Sequence, residues 1–457
     1  MNRTEIASSL TGLRAGCAPH AWPILGHLPQ MQSQFLNFLD ALPDIGDIVE
    51  IKLGTRSAFV LCNAELTRQV LVDFQTFDRS GKVWDRVRDS LGNGLPSAPN
   101  AEHHWQRRLV QPMFRRDYLR EYAKVMQQEI SSLTKGWLPG RRIEIGDEMF
   151  KLSANVTLRT LFDAELKSDA IDELREIFSI WADGILFRQV VPFWTRLPTA
   201  GNRRYAKAIE RWRFYANSLI SRQREDLEDS GNLLAGLLEH RTISGQPLTD
   251  SELSDHVAVL ILAGIKTTSI ALTWCLYLLG ENPSTQQLLQ RESDSVLAGK
   301  SAGWEDLPNL PYANAVVQEA LRLYPPAFIQ PRTVTKDIVV AGRSIDAGST
   351  VIYSPYILHR RDDHYVNPEK FDPTRWLPGH QSKPSASRGT FIPFGLGATK
   401  CVGDKFAVTE AALALASFYG SWNIQRDRSV SVRPIAKSIL HPSRFVAIPF
   451  PRNPHES

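Results

Sequence analysis

A single cysteine, Cys401, stands in a glycine-rich segment with the letters FGLGATKCVG, at residues 394–403. Two glycines precede the cysteine and one follows it by two residues, which lets the backbone approach something flat and bulky. A helical pattern from 404 to 418 follows, and the free N–H groups at its start are expected to lower the pKa of the thiol. A lone thiolate presented in this way suits an axial ligand of haem iron. The alternative is an inert cysteine buried in a tight turn.

A second candidate is the pair Glu319 and Arg322, which lie three residues apart and therefore on one face of a helix. Their apolar neighbours predict burial, and a buried guanidinium group needs further partners. Arg375, in the segment FDPTRW at 371–376, is expected to be a second cation beside Glu319. The alternative is an ordinary surface ion pair.

A third candidate is the run AGIKTT at residues 263–268, inside a long apolar helical pattern. Gly264 costs about 1 kcal/mol relative to alanine in a helix interior. Threonine hydroxyls in such a helix can bond to backbone carbonyl groups and bend it. We therefore expect a weakened polar notch in a buried helix, where a small ligand could lie.

The composition limits the class of protein that carries these groups. With 43% hydrophobic and 22% charged residues, the 457-residue chain is an ordinary globular protein. The 53 basic and 49 acidic residues leave a net charge of +4, too mild for a nucleic-acid binder. The four cysteines are widely separated and match neither a disulfide framework nor a zinc site, which favours a reducing cytoplasm.

The order of patterns along the chain indicates how these groups are positioned. Residues 1–20 are expected to form a loose leader, and 48–62 a β-hairpin. Helical periodicity dominates from 64 to about 325, interrupted by a segment at 79–100 that is rich in glycine, serine, asparagine and proline and is expected to be irregular. Short strands and turns follow. No linker or repeat divides the remainder.

One helix should be much longer than the rest. Thr249 and Glu252 form a capping box at its start, and Gly280 marks its end. About 30 residues at about 1.5 Å each give a helix of about 45 Å. Residues 257–279 are apolar enough for a membrane span, but a charge at its centre, Lys266, costs at least about 2.5 kcal/mol there. A buried core helix is the better interpretation, and no membrane anchor is expected.

The three motifs and FDPTRW, in this order, resemble the cytochrome P450 family of haem-thiolate monooxygenases, and the resemblance extends from residue 23 to the C-terminal strands. It implies a mainly α fold with a smaller β-sheet region, built as one domain over 21–457 around the long central helix. It also implies haem b, O2 and an apolar substrate, with electrons from NAD(P)H through ferredoxin reductase and ferredoxin. A monomer in the cytoplasm is expected.

The resemblance carries over to individual positions. The residues that it assigns to haem binding are Cys401 as iron ligand, Phe394, Gly395 and Gly403 near the sulfur, and His103, Arg107 and Arg332 at the propionates. Glu319, Arg322 and Arg375 are implied to be structural. Thr399 stands where the family usually has a cationic propionate partner. The propionates are therefore expected to depend more on His103, Arg107 and Arg332.

On the opposite side, the resemblance assigns to Thr267 a hydrogen bond to dioxygen, and to Ala263 and Gly264 the opening of a groove. Lys266 departs from the family, which usually has a carboxylate before the threonine. Its amine could turn away into a salt bridge or relay protons in neutral form, or it could mark an atypical reaction.

The expected substrate wall includes Val259, Leu260, Ala263, Phe328, Ile329 and residues of the segment 81–95. It has no charged anchor, which indicates an uncharged hydrophobic substrate. The segments 77–82 and 91–95 are similar to bacterial enzymes that oxidise terpene hydrocarbons in secondary metabolism. Desaturation, multi-step oxidation and oxidative coupling remain open as reactions, and a non-catalytic haem sensor is the alternative of another class. The basic residues that could dock the redox partner or simply be solvated are Arg107, Arg108, Arg115, Arg116, Lys400 and Lys405.

Overall fold

The computed structural model describes residues 4–6, 12–190, 195, 197–225, 232–240, 246–379 and 389–452. Helices dominate these ranges, as expected. They are α1 (Leu28–Asp40), α2 (Leu42–Ile45), α3 (Ala64–Val72), α4 (Gly81–Leu91), α5 (Asn100–Val110), α6 (Arg116–Lys135), α7 (Ile145–Phe162), α8 (Ser168–Val190), α9 (Ala200–Glu225), α10 (Leu233–Glu239), α11 (Asp250–Glu281), α12 (Pro283–Leu297), α13 (Pro311–Leu323), α14 (Pro355–Leu358) and α15 (Asp404–Ser421).

The strands are short and form a minor part of the molecule. They are β1 (Thr4–Ile6), β2 (Ala15–Cys17), β3 (Ile48–Leu53), β4 (Arg56–Leu61), β5 (Phe77–Asp78), β6 (Ile143–Glu144), β7 (Gln330–Val334), β8 (Ile338–Val340), β9 (Arg343–Ile345), β10 (Thr350–Tyr353), β11 (Trp422–Arg426), β12 (Pro434–Ala436), β13 (Leu440–Pro442) and β14 (Val446–Pro451). The main sheet has the order β2-β3-β4-β10-β7-β5, and β3 and β4 form the predicted hairpin.

The central helix α11 begins and ends where the sequence indicates. The hydroxyl of Thr249 accepts from the backbone N–H of Glu252, and the Glu252 carboxylate accepts from the N–H of Thr249 at 2.8 Å. Its 32 residues span about 48 Å. Among the described residues it is the one helix long and apolar enough to cross a membrane, but 78% of its apolar window is buried inside the protein. It is a core helix, and its buried residues belong to the largest apolar cluster of the part of the chain that the structure describes.

Two local predictions need correction. The first 20 residues are not loose throughout, because β1 pairs with β8 and β2 pairs with β3, both in parallel. The segment 79–100 is not irregular throughout, because α4 occupies residues 81–91. Trp84, Val87 and Leu91 repeat at helical spacing and are buried. The residues that suggested a loop lie around the helix, at its start in Gly81 and beyond its end.

Candidate active site

The loop before Cys401 is shaped by two glycines with positive φ. Gly395 has φ +72° and Gly397 has φ +70°. A Cβ atom on Gly397 would lie 2.5 Å from the carbonyl oxygen of Leu71 at the end of α3, so only glycine fits there. The backbone N–H of Cys401 donates to the carbonyl of Phe394 at 2.9 Å, which closes the loop. Cys401 is thereby held three residues before α15.

Cys401 is accessible on one side although protein surrounds its thiol. The residue is exposed by area, whereas burial by the surrounding protein raises the pKa of its thiol. A sulfur that is both open on one side and desolvated by protein faces inward. The predicted backbone donor is present, because a hydrogen bond from Gly403 acts to lower the pKa. The predicted net direction was wrong, since desolvation outweighs this donor. A coordinated metal ion reverses that balance by deprotonating the thiol.

One face of α11 is open in its middle. Ala263 and Thr267 are half-buried, whereas the helix on either side is largely buried. The Thr267 hydroxyl donates to the carbonyl of Ala263 at 2.7 Å, as expected for a threonine that weakens its helix. Gly264 also has a packing role, and its part in opening the groove stays a prediction. A Cβ atom there would lie 2.8 Å from the side chain of Thr157, so Gly264 allows α7 to pack closely against α11.

Cationic side chains gather around residues 398–400, just before Cys401. Arg107 donates to the Ala398 carbonyl at 3.2 Å, and Arg332 donates to the Thr399 hydroxyl at 3.3 Å. Arg79, which sequence reasoning did not assign to the site, donates to the Thr399 carbonyl at 3.3 Å.

The fourth member of this group, His103, is buried. Desolvation, followed by the charges of Arg79, Arg107 and Arg332, lowers the pKa of His103 to about 3. Burial and then the charge of Arg332 lower the pKa of Arg79 to about 9, and its Nε atom is buried without a hydrogen-bond partner. In the described part of the chain, no carboxylate forms an ion pair with these three guanidinium groups. Like charges held together in this way indicate a site for an anionic group.

Glu319, Arg322 and Arg375 meet in the core. Arg322 binds the Glu319 carboxylate through two nitrogens at 2.8 and 2.9 Å, and Arg375 binds it at 3.0 Å. Trp376, which sequence reasoning missed, donates its indole N–H to the same carboxylate at 2.8 Å.

This network extends toward the cysteine loop. Arg322 also donates to the carbonyl of His359 at 2.8 Å, and the His359 ring accepts from the N–H of Ile392 at 2.9 Å. Burial, with Arg322 nearby, lowers the pKa of His359 to about 3, so the ring is neutral and can accept this bond. The buried ion pairs therefore hold the chain that leads into residues 394–401.

Comparison with known proteins decides the family. Residues 17–448 match the family described as Cytochrome P450. The chain is a cytochrome P450. A solved cytochrome P450DA haem domain superposes with a TM-score of 0.85 at 22% identity, covering 97% of this chain and 99% of that one, and so shares the fold.

Three of the most similar relatives are proteins of Streptomyces. The chain is 38% identical to cyclooctatin synthase of Streptomyces melanosporofaciens, over 95% of each chain. It is 37% identical to pentalenene oxygenase of Streptomyces avermitilis, over 94% of this chain and 96% of the relative. Cyclooctat-9-en-7-ol 5-monooxygenase of Streptomyces melanosporofaciens is 38% identical over 90% of this chain and 89% of the relative. The protein is accordingly a monooxygenase, which overturns the sensor alternative.

The P450 family implies a haem cofactor, a redox partner, O2 and a hydrophobic substrate, and the residues present fit haem. Cys401 supplies an inward-facing sulfur, and the guanidinium groups of Arg79, Arg107 and Arg332, with the neutral ring of His103, supply partners for two carboxylates. The unpartnered Nε of Arg79 is a free donor in this group. Ala263 and Thr267 supply the half-open helix face.

Lys266 turns toward α8 in this P450. Burial lowers the pKa of its amine, the negative charge of Asp183 opposes that shift, and Arg175 adds to it. Asp183 itself pairs with Lys437 at 2.8 Å. No carboxylate of the described residues lies within salt-bridge distance of the Lys266 amine. Because desolvation outweighs the effect of Asp183, the neutral form of the amine is within easier reach than that of an exposed lysine.

The predicted substrate wall is divided between two clusters. Val259 and Leu260 are buried on α11 in the central core. Phe328 packs edge-to-face on Phe35 of α1, with ring centres 5.4 Å apart, in a separate cluster beside the main sheet that Ile329 also contacts. The chain after α13 turns the Phe328 ring toward α1, so the two pairs pack in different clusters, and their shared contact with a substrate stays a prediction.

The sequence gives only weak signals for Arg79 and Trp376. Arg79 lies in the segment 77–82, which the sequence marked only by its resemblance to enzymes that oxidise terpenes. In the structure Arg79 follows directly after β5. Trp376 directly follows Arg375 in the FDPTRW motif, and an indole N–H needs a partner when buried. The partner of each residue is far away in the sequence, so neither role could be read from spacing.

Proposed function

We propose that this P450 inserts oxygen from O2 into a C–H bond of a terpenoid in bacterial secondary metabolism. The observation that carries the proposal is the identity of 37–38%, over 89% or more of each chain, to the three Streptomyces relatives named above. The apolar residues Val259, Leu260 and Ala263 on α11 agree with an uncharged hydrocarbon substrate.

We assign haem b to the site, with Cys401 as its iron ligand and with Phe394, Gly395 and Gly403 in the loop that presents the sulfur. Haem, when bound, supplies the activation of O2 and the transfer of one oxygen atom to carbon. The N–H of Gly403 stabilises negative charge on the sulfur. His103, Arg79, Arg107 and Arg332 are the partners of the propionates.

On the α11 side, the Thr267 hydroxyl supplies a proton donor. It rests on the Ala263 carbonyl at 2.7 Å and can rotate to donate to an oxygen atom in the groove. Lys266 is adjacent to Thr267, and its desolvated amine lies near Asp183. We assign to Lys266 the delivery of protons from the α8 side, in place of the carboxylate usual in the family.

Electrons reach the site from NAD(P)H through ferredoxin reductase and ferredoxin. Of the basic residues considered for docking, Arg107 is turned inward to the Ala398 carbonyl and Lys400 pairs with Asp404 at 2.5 Å. The residues left exposed for an acidic partner are Arg108, Arg115, Arg116 and Lys405. Charge-reversal of these four should slow reduction at low salt more than at high salt. We propose a cytoplasmic monomer.

Two measurements test the proposal. Reduced, CO-treated protein should show the strongly red-shifted Soret band of thiolate ligation, and a spectrum without this band contradicts the assignment of Cys401. Terpene hydrocarbons and their alcohols should shift the spectrum of the oxidised protein, and mass spectrometry with a surrogate ferredoxin pair should find a product heavier by one oxygen. A product that has lost two hydrogens or formed a dimer would favour desaturation or oxidative coupling instead.

A further inference from the structure

Beyond the half-buried Ala263 and Thr267, α11 is covered by protein toward its start. Asp255, Val259, Ala263 and Thr267 recur every four residues and so form a row in which each side chain neighbours the next, winding slowly around α11. Asp255 is about 18 Å from Thr267 along the helix axis. It is the charged member of this row.

A short loop covers this side of α11. Residues 92–97, here named the roof loop, connect α4 to the start of α5. A Cβ atom on Gly94 would lie 2.7 Å from Cγ1 of Val259, so the loop backbone rests directly on α11. Farther along, the carbonyl of Leu95 accepts from Arg79 at 3.3 Å. The roof loop therefore runs from the side of α11 to the cationic group at the haem edge.

The carboxylate of Asp255 holds the start of this loop. Its Oδ2 atom accepts from the backbone N–H of Asn93 at 2.7 Å. Gly92, with φ +71°, passes so close that a Cβ atom there would lie 2.0 Å from Oδ1 of Asp255. Glycine is therefore required at this position both by the backbone angle and by the approach of the carboxylate.

Arg213 of α9 contacts the same carboxylate from outside. Its Nη1 atom lies 2.8 Å from Oδ1 of Asp255, although it is not aligned as a hydrogen-bond donor, and its Nη2 atom donates to the Ser90 carbonyl of α4 at 3.5 Å. The two side chains are 22% and 19% exposed, so this ion pair borders solvent. The ion pair can therefore open without disrupting the apolar core. Of the two contacts that Asp255 makes, the hydrogen bond from the Asn93 N–H is the better aligned.

We propose that Asp255 is a positioning residue that controls entry to and fit within the substrate site by fixing the roof loop on α11, with Arg213 as its outer support. The loop backbone touches Val259, one helical turn from Ala263. A displacement of the loop therefore changes the size of the apolar space without touching the groups that perform the chemistry. This inference deepens the proposed function, since it rests on that site taking an apolar substrate.

The test compares haem-loaded Asp255→Ala and Asp255→Asn with the wild type and with a matched control, Asp250→Asn. Asp250 also joins α11 to α9, through Arg224 at 2.5 Å, but no contact described for it involves the roof loop. The first measurement is hydrogen exchange of residues 92–97 without any ligand. The second is the rate at which 4-phenylimidazole, an azole that binds haem iron, enters the site, followed by its Soret shift.

Loss of a hydrogen bond to a charged group should make exchange in the roof loop about tenfold faster in Asp255→Ala and should speed azole entry. Asp255→Asn keeps an acceptor for the Asn93 N–H but loses the ion pair, and should fall between Asp255→Ala and the wild type. Asp250→Asn should match the wild type. Gly92→Ala changes the loop instead of α11. Its Cβ atom displaces the loop while the Asp255 carboxylate remains, so this variant should reproduce the effect of Asp255→Ala.

If Asp255→Ala and Gly92→Ala both show wild-type exchange and azole entry, Asp255 does not position the loop and the proposal is wrong. With a terpenoid substrate, Asp255→Ala should raise KM about tenfold with kcat changed less than twofold and should broaden the products. A tenfold fall in kcat at constant KM would also contradict the proposal. Exchange and azole entry do not depend on terpenoid turnover, so a failure of the proposed function is distinguishable from a failure of this inference.

Discussion

Glu410 offers the sharpest test of how burial controls charge in this protein. It lies on α15 with no exposed surface, and its one hydrogen bond comes from the Ser153 hydroxyl at 2.7 Å. Its other carboxyl oxygen, Oε2, is buried without a partner. Burial raises the pKa of Glu410 from 4.5 to about 8, against the opposing effect of the Ser153 bond. The carboxyl group is therefore neutral at pH 7.

The sign of the consequence follows from proton binding. Because the folded pKa is above the unfolded one, the native protein holds a proton that the unfolded chain releases between pH 4.5 and about 8. The stability that this proton confers is fully present below pH 4.5 and is lost as pH rises through 8. At about 1.4 kcal/mol per pH unit, roughly 2 kcal/mol should be lost between about pH 5.5 and pH 7.5.

Glu410→Gln keeps the shape of the neutral acid and removes this titration. We expect the free energy of urea unfolding of the variant, relative to the wild type, to rise by about 2 kcal/mol from about pH 5.5 to pH 7.5. Other titrating groups cancel in that difference. Glu121→Gln is the control, since Glu121 is exposed beside Lys124. Infrared spectra should show a protonated carboxyl band at neutral pH that is absent from Glu410→Gln.

Burial does not control the charge of Glu410 if the difference in unfolding free energy between Glu410→Gln and the wild type is independent of pH. The same follows if the variant loses no protonated carboxyl band from the infrared spectrum. Ser153→Ala gives a second check, because removing the hydrogen bond that favours the charged form should move the carboxyl titration to still higher pH.

Four further predictions address the site. Cys401→Ser should abolish the red-shifted Soret band of the CO complex, and its retention would show that another residue ligates the iron. Arg79→Met should release haem to apomyoglobin about tenfold faster than the wild type, because Arg79 donates in the cationic group; an unchanged rate would remove Arg79 from the site. Glu319→Gln should lower the free energy of unfolding by about 3 kcal/mol or more, since it leaves two buried guanidinium groups without their anion, and urea unfolding would measure this. Lys266→Met should reduce product formed per NADPH severalfold while substrate binding is kept, whereas unchanged coupling would show that Lys266 plays no part in proton delivery.

Short-range pattern determined much of this protein. The capping box of Thr249 and Glu252 and the end of α11 depend on residues within a few positions of one another, so the sequence alone located the helix. The same holds for the hairpin of β3 and β4 and for α15 directly after Cys401. Glu319 and Arg322 were paired correctly because helical geometry puts residues three apart on one face. The sequence also singled out Cys401 as the candidate iron ligand, because its glycine-rich loop stands before a helix and occurs in order with the other three motifs.

What the tertiary structure decided depends on contacts between distant segments. Arg79 and Thr399 are 320 residues apart, and nothing in either local sequence indicates that they meet. The direction of Lys266 depends on Asp183 of α8, and the placement of Phe328 depends on Phe35 of α1. The pKa of Cys401 was predicted in the wrong direction because desolvation is a property of the whole surrounding protein. Sequence spacing determines which face of an element a side chain occupies; only packing determines what that face meets.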